Sequence, residues 1–264
     1  MFLLPYKTAS KSAKTMRDYL GVTMIDPQGY ETHTYVSPII NWGNGWLSRS
    51  NIAGMFPNGF IVNPVKAIAR AVDKVKTLSS LAEKGVNTPI WTRNKEVAES
   101  WPQFGAIVLC RTNGGRDGQG ITVHMPDDEL PLPNADFYSV YTECEKEFRV
   151  HMTTLMDGND VSLVVERKPK RSASHEHPII RTGEDWYMAA NTLSSINLTK
   201  IKGVAYDALD AIGLDFGAVD IGMSGGNFVV FEVNTAPSDL GPKTLRTYKN
   251  IFKAFEDNYN GSSL

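Results

Sequence analysis

Two carboxylates and an amide in one short stretch carry the most definite chemistry in this chain of 264 residues. Residues 214–234 read LDFGAVDIGMSGGNFVVFEVN, two apolar runs joined by Gly225, Gly226 and Asn227, and they hold Asp220, Glu232 and Asn234. The pattern is that of a β-hairpin, in which residues opposite each other share a face and so do residues two apart along a strand. A three-residue loop of Gly225, Gly226 and Asn227 sets Ser224 opposite Phe228, Asp220 opposite Glu232, and Asn234 on the same face. A two-residue loop would set Asp220 opposite Phe231 and turn the acids to opposite faces, so the reading predicts the three-residue loop. Oxygen donors with no His or Cys among them suit a hard cation that keeps some of its water and takes other ligands from phosphate oxygens. Mg2+ bound with a nucleotide is the expectation, set against the commoner case of strand acids on a solvent face.

The elements that must position these residues are legible in outline. Residues 65–84 place Ala67, Ile68, Ala71, Val72, Val75, Leu78 and Leu81 at spacings of three and four before Gly85, which predicts one amphipathic helix or two end to end. Residues 106–111 and 120–125 are strand-like and flank Asn113-Gly114-Gly115-Arg116-Asp117-Gly118-Gln119, so a hairpin with a glycine-rich tip is expected. Backbone N–H groups at such a tip, around Gly115, Gly118 and Gly120, can close over phosphates. A dinucleotide fingerprint is rejected, because a strand rather than a helix follows the glycines. Further strands are expected over 137–141, 147–155 and 161–167, and a helix over 198–212. Residues 1–64 read as a small α/β unit whose helix begins near Ser10. His175 and His177, in a Ser-rich stretch with no third ligand in sight, are given no role.

Composition narrows the function classes. Apolar residues make up 42% of the chain, enough for a sizeable core in two or three small subdomains. A formal net charge of -2 supplies no field for bulk nucleic acid or an anionic membrane, which argues against a nuclease built on Asp220 and Glu232. Cys110 and Cys144 lie in no CxxC or zinc-type spacing, and the expected setting is a reducing cytoplasm. No apolar run is long enough to span a bilayer.

Around Asp220, the words GAVDI and FEVNTAP, with Leu240-Gly241 behind, resemble the paired metal-binding strands of the ATP-grasp superfamily, especially its RimK-like amino-acid ligases. Upstream, Asp73-Lys74-Val75-Lys76 with Gly85 and Pro89 behind is similar to that family's helix carrying an ATP-phosphate lysine, which implies that role for Lys74. Arg111 stands at the strand position where many members have a second phosphate lysine. Tyr138, Val140 and Tyr141 resemble the hinge segment that holds adenine. Arg149, Lys168 and Arg181 fall near basic positions of the pattern and are implied ligands for phosphate, substrate carboxylate or an acylphosphate. The resemblance implies an α+β ATP-grasp fold with an N-terminal subdomain (1–64), a central subdomain (65–141) and a C-terminal subdomain (142–264). It also implies ATP and Mg2+ as cofactors, and small-molecule or peptide carboxylate and amine substrates. Two alternatives stay open at this point: an ATP-grasp phosphotransferase, and a non-catalytic ATP-binding module. Oligomeric state is not legible.

Overall fold

The computed structural model describes residues 1–29, 32, 37–57, 59–114, 120–155, 161–168, 186–190, 192–238 and 240–261. The chain opens with β1 (Phe2–Pro5), α1 (Lys11–Leu20), β2 (Thr23–Met24), β3 (Pro38–Trp42), α2 (Arg49–Met55) and β4 (Phe60–Val62). The four strands make a parallel sheet in the order β2-β1-β3-β4. β3 is buried along its whole length, as the run Pro38-Ile39-Ile40-Asn41-Trp42 requires. α1 starts where Ser10 caps it, with its Oγ accepting from Ala13 N–H at 3.3 Å, and stops at Gly21 in the left-handed conformation.

The predicted helical stretch is two helices, α3 (Val65–Val72) and α4 (Lys74–Glu83). Asp73 ends one and caps the other, its carboxylate accepting from Lys76 N–H at 3.0 Å. A second sheet, antiparallel, holds β5 (Trp91–Thr92), β6 (Val108–Arg111), β7 (Ile121–His124) and β8 (Phe137–Val140) in the order β5-β8-β6-β7. α5 (Lys95–Glu99) packs on it, burying Ala98 with Val108, Cys110 and Tyr138.

The third sheet is also antiparallel, with β9 (Lys146–Thr153), β10 (Leu163–Lys168), β11 (Trp186–Ala189), β12 (Phe216–Ser224) and β13 (Asn227–Asn234) in the order β11-β10-β9-β12-β13. One face is apolar: Phe148, Val150, Val219, Ile221 and Val230 are sealed against Ile201, Ala205 and Leu209 of α6 (Ser195–Ile212) and against α3 and α4. The opposite face carries Glu147, Arg149, Asp220 and Glu232, and strand alternation is what separates the two sets.

The last helix, α7 (Pro242–Gly261), has no counterpart in the sequence reading. Although 142–264 was expected as one subdomain, α7 sends Tyr248, Ile251, Phe252 and Phe255 into the core beneath the first sheet, against Leu3, Ile40, Trp42 and Phe216. Trp42 and Tyr248 meet edge to face at 5.1 Å, and Tyr248 and Phe252 stack at 5.8 Å. Among the described residues no helix is long and apolar enough to cross a membrane.

Candidate functional site: a charged row across three strands

The β12–β13 hairpin corrects the expected loop. Ser224 pairs with Asn227, so the loop has two residues, Gly225 and Gly226, with φ of 56° and 79°. Positive φ at both central positions matches the right-handed twist of the strands, and only glycine adopts it without strain. Carried on without interruption, that register would turn the two acids apart. A β-bulge between Asp220 and Ile221 prevents it: Ile221 pairs with Val230, Asp220 with Glu232, and Phe231 is the extra residue. The acids share a face after all, through a bulge that strand periodicity alone does not reveal. Phe231 folds its ring over Gly222, where a methyl group would overlap the ring at 2.6 Å and also meet Cys144 Sγ.

Arg149 on β9 lies directly across from Asp220, so Arg149, Asp220 and Glu232 form one row over three neighbouring strands. The Arg149 guanidinium binds Asp220 through both oxygens, Nε at 2.6 Å from Oδ1 and one terminal nitrogen at 2.8 Å from Oδ2. Asn234 Nδ2 donates to Asp220 Oδ2 at 3.1 Å, leaving its Oδ1 for another partner. The Glu232 side chain is exposed, yet its carboxyl has protein packed closely around it. Burial first, then the charge of Asp220, raises its carboxyl above the usual carboxylate range, while Lys74, Arg111 and Arg149 pull it back. Among the described residues no cluster of three or more His, Cys, Asp or Glu gathers, so a metal here would take two carboxylates and the Asn234 amide oxygen. That all-oxygen set fits Mg2+, which completes its shell with water and phosphate oxygens.

Lys74 and Arg111 reach the same place. Lys74, Arg111, Phe137, Phe231 and Glu232 line one concavity between α4, the second sheet and β13. The Arg111 guanidinium lies 5.4 Å from the centre of the Phe137 ring. Asn113, at the base of the glycine hairpin, ties that hairpin to the start of α4: its Nδ2 donates to Asp73 Oδ1 at 3.0 Å and its Oδ1 accepts from Val75 N–H at 3.2 Å. Neither Asn113 nor Phe137 was singled out in the sequence. The signal for Phe137 was strand alternation, because it faces away from Tyr138. Gly120 sits beside Thr112 where the hairpin strands meet; Gly115 and Gly118 lie outside the described residues.

The hinge assignment divides. The Tyr138 ring is in the core with Val108 and Leu132, its hydroxyl donating to Pro133 O at 3.2 Å, so the ring does not reach the cleft. Val140 N–H donates to Ile90 O and Tyr141 N–H to Ile107 O, each at 2.9 Å, so both of these backbone donors are engaged within the protein. Phe231 and Cys144, packed together over Gly222, stand next to that segment and were not anticipated.

Of the three implied cations, Arg149 is in the row and Arg181 lies outside the described residues. Lys168 pairs with Trp186 at the end of β10. Its neighbour Arg167 binds Glu147 Oε2 at 3.0 Å. Two further residues hold the site in place. His151, beside Ala218 on β12, has its Nδ1 3.0 Å from the Tyr248 hydroxyl, and burial pushes its imidazole down to about 3, so it is neutral. Asn63 is fully buried at a φ of 65° and clamps the start of β12: its Oδ1 accepts from Asp215 and Phe216 N–H and its Nδ2 donates to Phe216 O.

No family model and no curated protein matches the sequence. Solved structures do match. A D-alanine–D-alanine ligase from Bacillus anthracis aligns over 100% of this chain and 99% of its own, with a TM-score of 0.67 at 10% identity. The ATP-grasp ligase PsnB, complexed with minimal precursor, Mg and ADP, aligns over 96% of both chains with a TM-score of 0.67 at 13% identity. Macrocyclase MdnC bound with precursor peptide MdnA, from Microcystis aeruginosa, aligns over 97% of this chain and 99% of its own, with a TM-score of 0.62 at 12% identity. Matched from end to end by such enzymes, the chain has the α+β ATP-grasp fold.

Proposed function

We propose that the chain is an ATP- and Mg2+-dependent carboxylate–amine ligase of the RimK-like type, working through an acylphosphate. The observation that carries this reading is the convergence of Lys74, Arg111 and Glu232 on one concavity beside the Arg149–Asp220–Glu232 row. Lys74 and Arg111 would meet ATP phosphates, the arginine through two parallel hydrogen bonds. Phe231 and the segment after Val140 would flank the base. Asp220, Glu232 and Asn234 would hold Mg2+, which, when bound, offsets phosphate charge.

A substrate carboxylate oxygen attacks the γ-phosphorus, the bond to the β,γ-bridging oxygen breaks, and ADP leaves. An amine then attacks the acyl carbon and expels phosphate, giving an amide. The protein's part is alignment and charge: Arg149, with Lys168 and Arg181 as further cations implied by sequence, stabilises negative charge on the transferring group and the acyl oxygen. The three compared enzymes are named for a dipeptide ligation or bound to precursor peptides, which favours an amino acid or peptide as substrate.

Hydroxylamine tests the intermediate. With ATP, Mg2+ and a panel of amino acids and acidic peptides, a hydroxamate should form in step with ADP. A stable phosphorylated product without hydroxamate would identify a phosphotransferase, and no ADP with any substrate would identify a binding module.

A further inference from the structure

In an all-parallel open sheet a ligand crevice forms outside the carboxyl ends of the strands, where neighbouring connections run to opposite sides. In the order β2-β1-β3-β4 that point lies between β1 and β3, at Tyr6 and Gly43. It adjoins the site above. A methyl group on Gly43 would stand 2.8 Å from Ala236 Cβ and 3.4 Å from the Tyr6 ring, and Ala236 is two residues past Asn234.

The turn after β3 is built with care and presents an indole to water. Asn41 and Asn44 are fully buried. Asn41 accepts from Asn44 N–H at 2.9 Å and donates to Asn44 O at 3.0 Å, and Asn44 donates to Pro5 O at 3.2 Å. Asn44 Oδ1 in turn accepts from Trp46 and Leu47 N–H. The outcome is Leu47 at 3% exposure beside Trp46 at 56%. The turn buries Leu47 and its two asparagines and holds the neighbouring indole open to water. Trp46 Nε1 reaches Tyr6 O at 3.4 Å, which sets the indole over the end of β1.

Charge completes the crevice. Lys7 is exposed, its ammonium 5.3 Å from the Tyr6 ring centre. Lys7, Lys11 and Lys14 all precede the first acidic residue, Asp18. α1 starts at the same edge with no acid in its first turn.

The geometry points to a subsite for an aromatic carboxylate: the ring stacks on Trp46 and Tyr6, and the carboxylate faces Lys7 and the start of α1, next to the loop that follows Asn234. An aromatic amino acid, free or at the C-terminus of a short peptide, has that chemistry. This names the substrate class of the proposed ligase and rests on that reading for its catalytic meaning, but its binding can be measured alone.

The experiment is calorimetric titration of the full chain with L-tryptophan, L-phenylalanine, glycyl-phenylalanine, phenylalaninamide and L-alanine. Wild type, Trp46→Ala and Lys7→Gln are compared, and the rise in melting temperature with MgATP is followed in parallel. The aromatic carboxylates should bind roughly tenfold more tightly than alanine or the amide, and each substitution should weaken them by roughly tenfold. Neither should alter the MgATP effect. Aromatic binding that needs Trp46, in a protein that ignores MgATP, would keep the subsite and remove the ligase reading. A normal MgATP effect with no aromatic binding, equal binding of alanine, or variants that bind like wild type would overturn the subsite.

Discussion

Asp220 and Glu232 sit opposite each other, yet their removal should affect the molecule differently. Asp220 is the counter-charge of Arg149 in a pair whose side chains are only 23% and 13% exposed. Asp220→Ala strands that guanidinium and should lower stability by about 3 kcal/mol, read from urea unfolding. Glu232, whose carboxyl is raised by burial and by Asp220, should be replaceable by Gln within about 0.5 kcal/mol, while ADP release falls by at least about 100-fold. Equal destabilisation by both would show that the row is structural. His151 gives a pH test. Its folded value is about 3 against 6.5 when free, so the unfolded chain takes a proton that the native state refuses. That contribution is whole above pH 6.5 and is lost as pH falls toward 3. Between pH 6.5 and 5, above most carboxylate titration, the melting temperature of wild type should fall more steeply than that of His151→Gln. At this scale the sequence was legible where a side chain has one chemical use, as with Asp220 and Glu232. It was ambiguous where neighbours of like type alternate: the Phe137 ring lines the concavity while the ring of its neighbour Tyr138 is in the core.

Strand register decides whether those residues meet. From sequence, a three-residue loop was the route to a shared face for the acids; the hairpin instead combines a two-residue Gly225-Gly226 turn with a bulge at Phe231. Both routes add one residue to one strand, which is why the destination was right and the path was not. A bulge leaves no mark in periodicity when every residue around it is apolar, as in Phe228-Val229-Val230-Phe231. Gly222 is the clue that was available, since a glycine inside a strand marks a close approach. Gly222→Ala should displace the Phe231 ring, destabilise by about 1–3 kcal/mol and weaken ATP more than any second substrate, measured as separate KM values. The break between α3 and α4 at Asp73 was foreseen as one of two options, and its use is now evident: the new helix start holds Lys74 and docks Asn113 at the base of the glycine hairpin.

Across the whole molecule, α7 joins the ends of the chain. Over residues 242–261, Tyr248, Phe252 and Phe255 repeat at spacings of four and three, a helical signal diluted because the run is polar overall. Phe252, fully buried against Trp42 and Phe216, should cost about 3–5 kcal/mol when cut to Ala, with the midpoint of urea unfolding as the readout. The first sheet was read only as a small α/β unit, since its strands are short and their order cannot be inferred from spacing. What stood out from sequence was the part that chemistry constrains, the β12–β13 hairpin and the helix with Lys74. The central claim is that these bind Mg2+ and ATP together. The direct measurement is the melting temperature of wild type and Glu232→Gln with ATP or GTP, each with and without Mg2+. The expected result is a rise for wild type that needs Mg2+, favours ATP over GTP and is weakened or lost in the variant. No rise in wild type at millimolar nucleotide, or a rise indifferent to both Mg2+ and Glu232, would contradict it.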